Sequence, residues 1–143
     1  METAGQFLRL LAAATALSIA SVHVAILNQH LEEKTYIGVL FLAAILVLQL
    51  VALTLAQSRR EPLLDVAAWI GGSAVVVSMF ALFVVSRTAG LPGYHEPWDK
   101  IGIASLVLEG LFLTAAVANA LLGRVARSSE SLRVLHLHRD AAA

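Results

Sequence analysis

Four apolar stretches dominate this sequence and limit what it can fold into. They cover about residues 7–29, 35–57, 63–87 and 99–123. Because an α-helix needs about 20 apolar residues to cross roughly 30 Å of hydrocarbon, each stretch is long enough to span a membrane. Charged residues make up only 14% of the chain, whereas soluble domains have about 25%. The sequence therefore predicts an all-α integral membrane protein, a four-helix bundle with up-down-up-down topology.

The domain organisation follows from how much of the chain these spans use. We predict one domain over residues 1–127 and a polar cytoplasmic tail over residues 128–143. The first span is predicted to be a retained helix, because its apolar run exceeds the roughly 7–15 residues of a signal-peptide core. Small residues concentrated in the first and third spans predict close helix packing there. The chain has no cysteine, which excludes disulfides and thiolate metal sites.

Basic residues are distributed unevenly between the two ends of the predicted bundle. Lys and Arg collect on the cytoplasmic flanks of membrane spans. The end with both termini carries Arg9, Arg59, Arg60, Arg124, Arg127, Arg133 and Arg139, whereas the other end carries only Lys34, Arg87 and Lys100. We therefore expect a multi-pass protein of the cell (plasma) membrane with both termini in the cytoplasm.

Glu109 is a carboxylate deep inside the fourth apolar stretch. A charge at the centre of a bilayer costs roughly 2.5–3.5 kcal/mol on the most lenient scale, so it persists only if it is paired, neutralised or used. One alternative is a protonated, hydrogen-bonded Glu109 that serves helix packing alone. The functional interpretation is the usual one for an intramembrane glutamate.

Other polar residues lie in the same half of the membrane as Glu109. His23 and His30 are about two helical turns apart, so they share one face of the first span. His23, Met79 and Glu109 come from three spans at nearly matching depth. The pattern predicts an outward-facing pocket with Glu109 at its floor and the loop from Arg87 to Asp99 above it.

Imidazole and carboxylate groups together form a ligand set for transition metals. We therefore predict a metal site made by His23, His30, Glu33 and Glu109, for uptake, delivery or sensing of copper, zinc, iron or manganese. Arg87, His95, Glu96 and Met79 are predicted to support it. Haem is disfavoured, because His23 and His30 share a helix and no second deep histidine faces them.

Several simpler interpretations stay open. Met79 can be an ordinary core residue. Arg87 can extend to the interface or form a salt bridge with Glu33, Glu96 or Glu109. The chain can also be a proton-coupled small transporter that uses Glu109, or a non-catalytic subunit or scaffold of a larger complex. No nucleophile–base pair or phosphate-binding loop occurs, so we predict no enzyme; expected partners are the lipid bilayer and a homo-oligomer or larger membrane complex, without nucleic acid.

Two short patterns give the chain a family resemblance. The first is His23 followed by His30-x-x-Glu33, and the second is Ser86-Arg87-Thr88-x-Gly90-Leu91-Pro92. With these patterns the chain resembles a family of small, uncharacterised four-span proteins of the bacterial inner membrane. The resemblance implies the four-helix architecture and an exterior cluster of His, Glu and Arg side chains. It implies no activity.

Overall fold

The computed structural model describes the backbone of residues 2–57 and 61–141 and the side chains of residues 3–57 and 61–129. Within these residues the chain forms four α-helices: α1 (Glu2–Glu33), α2 (Thr35–Ala56), α3 (Pro62–Arg87) and α4 (Lys100–Ala141). All four are long and apolar enough to cross a membrane. The prediction of an all-α, four-helix membrane protein is confirmed.

The helix boundaries differ from the predicted spans mainly at the chain ends. α2 and α3 begin and end close to their predicted limits, whereas α1 begins at Glu2 and α4 continues to Ala141. The sequence after Gly123 contains no proline, and a single glycine inside a helix costs only about 1 kcal/mol. The backbone therefore stays helical into the polar tail. Arg59 and Arg60, which support the predicted orientation, lie outside the described residues.

The helices are arranged around a square. α1 and α3 each pack against both α2 and α4, so the two helices with the most small residues lie diagonally across the bundle. Small residues still bring helices together: Cβ atoms added at Gly72 would lie 2.7 Å from Phe112 Cζ and 3.0 Å from Val51 Cγ1. Each helix also contributes to an apolar core, with Ile19, Leu48, Val76 and Phe112 almost completely buried.

Arg9 joins three helices at the end of the bundle where α1 begins. Its guanidinium forms an ion pair with Asp65 of α3. It also donates to the carbonyl oxygens of Gln57, at 3.0 Å, and Thr54, at 3.5 Å. The last carbonyls of a helix have no hydrogen-bond donor within that helix. Arg9 therefore supplies a donor to the carbonyls at the end of α2. We call this end of the molecule the Arg9 end.

The opposite end, which we call the loop end, carries the two connections 34 and 88–99. The longer loop is ordered by a tight turn over Leu91–Tyr94, in which each of these two residues donates its amide to the carbonyl of the other, at 2.7 and 2.9 Å. Pro92 and Gly93 occupy the centre of the turn, where Gly93 has φ +66. A proline followed by a glycine with positive φ is typical of a type II turn. Tyr36 ties this turn to α2 by donating to the Pro92 carbonyl at 3.1 Å.

Candidate functional site

A cavity of about 710 Å³ lies at the loop end, between all four helices and the loop 88–99. The eight residues that the sequence singles out all contribute to its wall: His23, Met79, Glu109, His30, Glu33, Arg87, His95 and Glu96. Apolar side chains such as Phe41, Leu82 and Ile26 make up much of the remaining surface. The fold therefore brings residues from distant parts of the sequence to one cavity.

His23 and His30 are held in the same way by the backbone of α1. The Nδ1 atom of His23 lies 2.9 Å from the Ile19 carbonyl oxygen, and Nδ1 of His30 lies 2.9 Å from the Ile26 carbonyl oxygen. Since a carbonyl can only accept, each Nδ1 carries the proton and donates it. When the His23 ring is neutral, its Nε2 atom is consequently left with a free lone pair.

Phe41 of α2 packs against both imidazoles and holds them in place. Its ring centroid is 4.8 Å from that of His23 in an edge-on arrangement and 4.5 Å from that of His30 in a tilted one. Both histidines are at least nine-tenths buried. Phe41 therefore contacts both the deeper histidine, His23, and the outer one, His30, within one cavity.

Arg87, the last residue of α3, is the centre of a charged network at the loop end. Its guanidinium donates to Glu96 Oε2 at 2.9 Å and to Asp99 Oδ2 at 2.7 Å. It also lies flat over the Phe83 ring, with Cζ 3.6 Å from the centroid. Arg87 is only 9% exposed, so the prediction of an interfacial cation extending to water is wrong. The alternative prediction of a salt bridge with Glu96 is confirmed.

Glu96 connects this network to α1. While Oε2 binds Arg87, Oε1 lies 3.3 Å from His30 Nε2. The backbone amide of Glu96 also donates to the Ser86 carbonyl at 3.2 Å. Glu96 thus fixes the loop 88–99 to the ends of both α1 and α3, and the loop forms the outer wall of the cavity.

Asp99 ends the loop that the sequence places above the pocket, but neither its capping of α4 nor its pairing with Arg87 was predicted. Its Oδ1 accepts from the Gly102 amide at 2.7 Å, which makes it the N-cap of α4. Partial burial by itself raises the pKa of Asp99, but the hydrogen bonds from Gly102 and Arg87 outweigh burial and hold that pKa below its ordinary value. An aspartate directly before a long apolar run is a capping signal, so its capping role was detectable; its pairing with Arg87 was not.

Tyr94 covers the network from the loop. Its ring lies 6.1 Å from that of His30. Burial, reinforced by the nearby negative charge of Glu96, raises the pKa of the Tyr94 hydroxyl above its ordinary value. Tyr94 is therefore a neutral side chain of the cavity wall across the physiological pH range.

Glu109 lies on the cavity wall below this network and is 2% exposed. Its Oε1 accepts a hydrogen bond from Ser105 Oγ, one turn earlier in α4, at 3.0 Å. Its Oε2 is buried and has no hydrogen-bond partner among the described residues. Phe112, one turn farther towards the Arg9 end, is completely buried in the apolar core. Among the described residues, the cavity therefore has Glu109 near its inner end, with the apolar core beyond it.

The remaining predicted residues have less constrained positions. Glu33 is exposed at the rim and accepts a hydrogen bond from Gln29 at 2.8 Å. His95 is exposed in the loop, and Met79 is half-buried where the cavity meets the apolar core. Met79 thus has the contacts of a core residue as well as a place on the wall.

No three His, Asp or Glu side chains among the described residues form a group that could hold a metal ion. The four predicted ligands share one cavity, but Glu33 lies at its rim while Glu109 is buried. The side chains of His136 and His138 lie outside the described residues. The metal centre stays a prediction.

Together the fold and the cavity define the class of this protein: it is a multi-pass, four-helix membrane protein with a cavity of apolar walls and a few polar groups at one end of the bundle. Comparison with protein-family models, with curated proteins and with solved structures finds no match.

Proposed function

We propose that this protein binds a small molecule in the cavity at the loop end. The observation that carries this proposal is the size and lining of the cavity. At about 710 Å³ it falls within the roughly 300–1,000 Å³ of small-molecule sites, and it combines apolar walls with a few polar groups, as such sites do. A bound metal ion alone would fill only a small part of this volume.

The distribution of positive charge supports access from outside the cell. By their positions in the sequence, seven arginines flank the spans on the side of the Arg9 end, against three basic residues on the side of the loop end. Arg87, one of these three, is paired with two carboxylates and adds little free positive charge there. We infer that the Arg9 end is cytoplasmic and that the cavity opens to the extracytoplasmic side of the cell membrane.

The orientation can be tested directly because the chain has no cysteine. Thr88→Cys places a thiol in the exposed loop, and Arg124→Cys places one on the exposed surface of α4 towards the tail. A membrane-impermeant maleimide should label Thr88→Cys in intact cells and Arg124→Cys only after permeabilisation. The reverse pattern would show that the cavity faces the cytoplasm.

Binding can be tested with a set of fluorinated fragments and fluorine NMR, using the full-length protein in nanodiscs. Ala44 lines the cavity, so Ala44→Phe should fill part of it and displace the fragments that the unchanged protein binds. Leu121→Phe adds a similar bulk on a lipid-exposed part of α4 and is the matched control. An absence of fragment binding, or binding that survives Ala44→Phe, would contradict the proposal.

A transition metal ion is the second candidate ligand, favoured by the fixed orientation of the two histidines. Histidines that bind metals usually donate their other ring N–H to a carbonyl or carboxylate, as His23 and His30 do. Titration of the purified protein with copper, zinc, iron, manganese and nickel tests this candidate. Binding that is absent, or is unchanged in His23→Ala and Glu109→Gln, would exclude a metal at this site.

A further inference from the structure

Glu109 presents an unused acceptor to the cavity. Its Oε2 is buried without a hydrogen-bond partner among the described residues, while Oε1 has only the Ser105 hydroxyl. A buried carboxylate with an unsatisfied oxygen is unfavourable unless a donor or a positive charge reaches it. The described residues supply no ion-pair partner to Glu109, so a cation that enters the cavity would find an open carboxylate oxygen there.

His23 adds a second acceptor in the deep part of the cavity. Because its Nδ1–H donates to the Ile19 carbonyl, the neutral ring offers a lone pair at Nε2. His30 differs, since its Nε2 already lies 3.3 Å from Glu96. Two atoms in the deep part of the cavity therefore lack a hydrogen-bond partner among the described residues, Glu109 Oε2 and His23 Nε2. Both are acceptors.

The ionisable side chains of the cavity wall also favour a positively charged ligand, because acidic residues outnumber basic ones. Four carboxylates line it, and two basic side chains oppose them: Glu33, Glu96, Asp99 and Glu109 against Lys34 and Arg87. Arg87 is engaged by Glu96 and Asp99, and Glu109 has no ion pair with either basic side chain among the described residues. A cavity with an excess of negative charge concentrates cations and repels anions.

We propose that the ligand is an organic cation, a primary or secondary ammonium group on a largely apolar body. The ammonium donates to Glu109 Oε2 and His23 Nε2, and the apolar body lies along the walls near Phe41 and Met79. The inference rests on the proposed function, because it specifies the molecule that the same cavity takes. An ammonium supplies both the positive charge and the two N–H donors that these acceptors lack.

Three probes with the same apolar part isolate the contribution of the head group: 4-phenylbutylammonium, 4-phenylbutanol and 4-phenylbutyrate. Their binding would be measured by calorimetry, with the full-length protein in nanodiscs of zwitterionic lipid and with empty nanodiscs as the blank. We expect the ammonium to bind at least about tenfold more tightly than the alcohol, and the carboxylate to bind most weakly. The N,N,N-trimethyl analogue keeps the charge but has no N–H, and should lose most of this preference.

Glu109→Gln should remove the preference for the ammonium and leave the affinity for the alcohol within about threefold. Glu32→Gln, which changes an exposed carboxylate of α1 outside the cavity lining, is the matched control and should keep the preference. A preference that survives Glu109→Gln would overturn the assignment of Glu109.

The comparison of the three probes on the unchanged protein tests the preference for an organic cation even if a variant fails to fold. Equal binding of the ammonium and the alcohol, displaced by Ala44→Phe, would overturn the organic cation and leave the proposed function standing. Binding of none of the three probes would overturn the inference. If the fragment set also fails to bind, the proposed function is overturned with it.

Discussion

Arg87 at the end of α3 and Glu96 in the following loop form an ion pair with an Nη1–Oε2 distance of 2.9 Å. The pair is largely shielded from solvent, with 5% of the Arg87 side chain and 20% of the Glu96 side chain exposed. It holds the outer wall of the cavity against the helix bundle. The second carboxylate on Arg87, that of Asp99, extends the same connection to the start of α4.

Arg87→Ala should destabilise the fold, because it leaves Glu96 and Asp99 without their cation. Breaking a buried ion pair costs about 3–5 kcal/mol, and the 40% exposure of the Asp99 side chain reduces the expected loss to about 2–3 kcal/mol. Arg87→Lys should recover only part of it, since an ammonium lacks the planar fork that serves two carboxylates. Equilibrium unfolding in bicelles measures both variants.

Arg124→Ala is the control for this prediction, because Arg124 is an exposed cation on α4. It should change the free energy of unfolding by no more than about 0.5 kcal/mol. A loss in Arg87→Ala no larger than in this control would show that the network does not stabilise the loop.

Asp99 should make stability depend on acidic pH. Its folded-state pKa lies below its ordinary value of 3.8, so its contribution is complete above that value and is lost as pH falls through the lower folded-state pKa. Asp99→Asn keeps a side chain that can cap α4 but does not titrate. Thermal unfolding of both proteins between neutral pH and about pH 3 should show the difference between them shrinking in acid, whereas a constant difference would contradict the prediction.

Two glycines of α4 provide a matched test of packing. A Cβ at Gly102 would clash with Phe83 Cε2 and lie 3.0 Å from Arg87 Nη2, whereas one at Gly110 would meet nothing within 4 Å. Gly102→Ala should therefore displace the stacked Phe83 and Arg87 and destabilise by about 1–3 kcal/mol. Gly110→Ala should be neutral or stabilise by up to about 1 kcal/mol, because alanine favours the helix. Equal effects in unfolding measurements would mean that this stack is not tightly packed.

The ion pair at the Arg9 end should show strong coupling between its two members. Asp65→Ala leaves Arg9, whose side chain is 7% exposed, as an uncompensated buried charge and should cost about 3 kcal/mol. The double variant Arg9→Met, Asp65→Ala removes both charges and should be more stable than the sum of the single effects predicts. Additive effects in the double-mutant cycle would indicate that the two side chains do not interact.

The bundle itself was predictable because its signals are local. The number of helices, the boundaries of α2 and α3 and the ordered turn with Pro92 and Gly93 all follow from residues close together in the sequence. The end of α4 was not predictable in this way. The polar tail has helix-forming residues, but it has no apolar pattern that would distinguish a continued helix from a loop. The family resemblance and the predicted metal ligands stay predictions.

The partners of the charged residues could not be read from the sequence. Arg9 resembles a simple flanking cation and Asp65 an ordinary first-turn acid, yet they form one ion pair across two helices. Arg87 had three predicted partners, and the structure selects Glu96 and adds Asp99. Ion pairing depends on which helices are neighbours, and apolar periodicity does not specify that.

The sequence by itself determined that this chain spans a membrane four times and that polar residues gather in one half of the bundle, because span length and charge placement depend on bilayer thickness and not on packing. Only the tertiary structure decided that these residues share one cavity, that Phe41 packs against both histidines and that one Glu109 oxygen has no partner among the described residues. The physical reason is that burial and hydrogen bonding depend on the positions of side chains from all four helices, which are set only when the helices pack together.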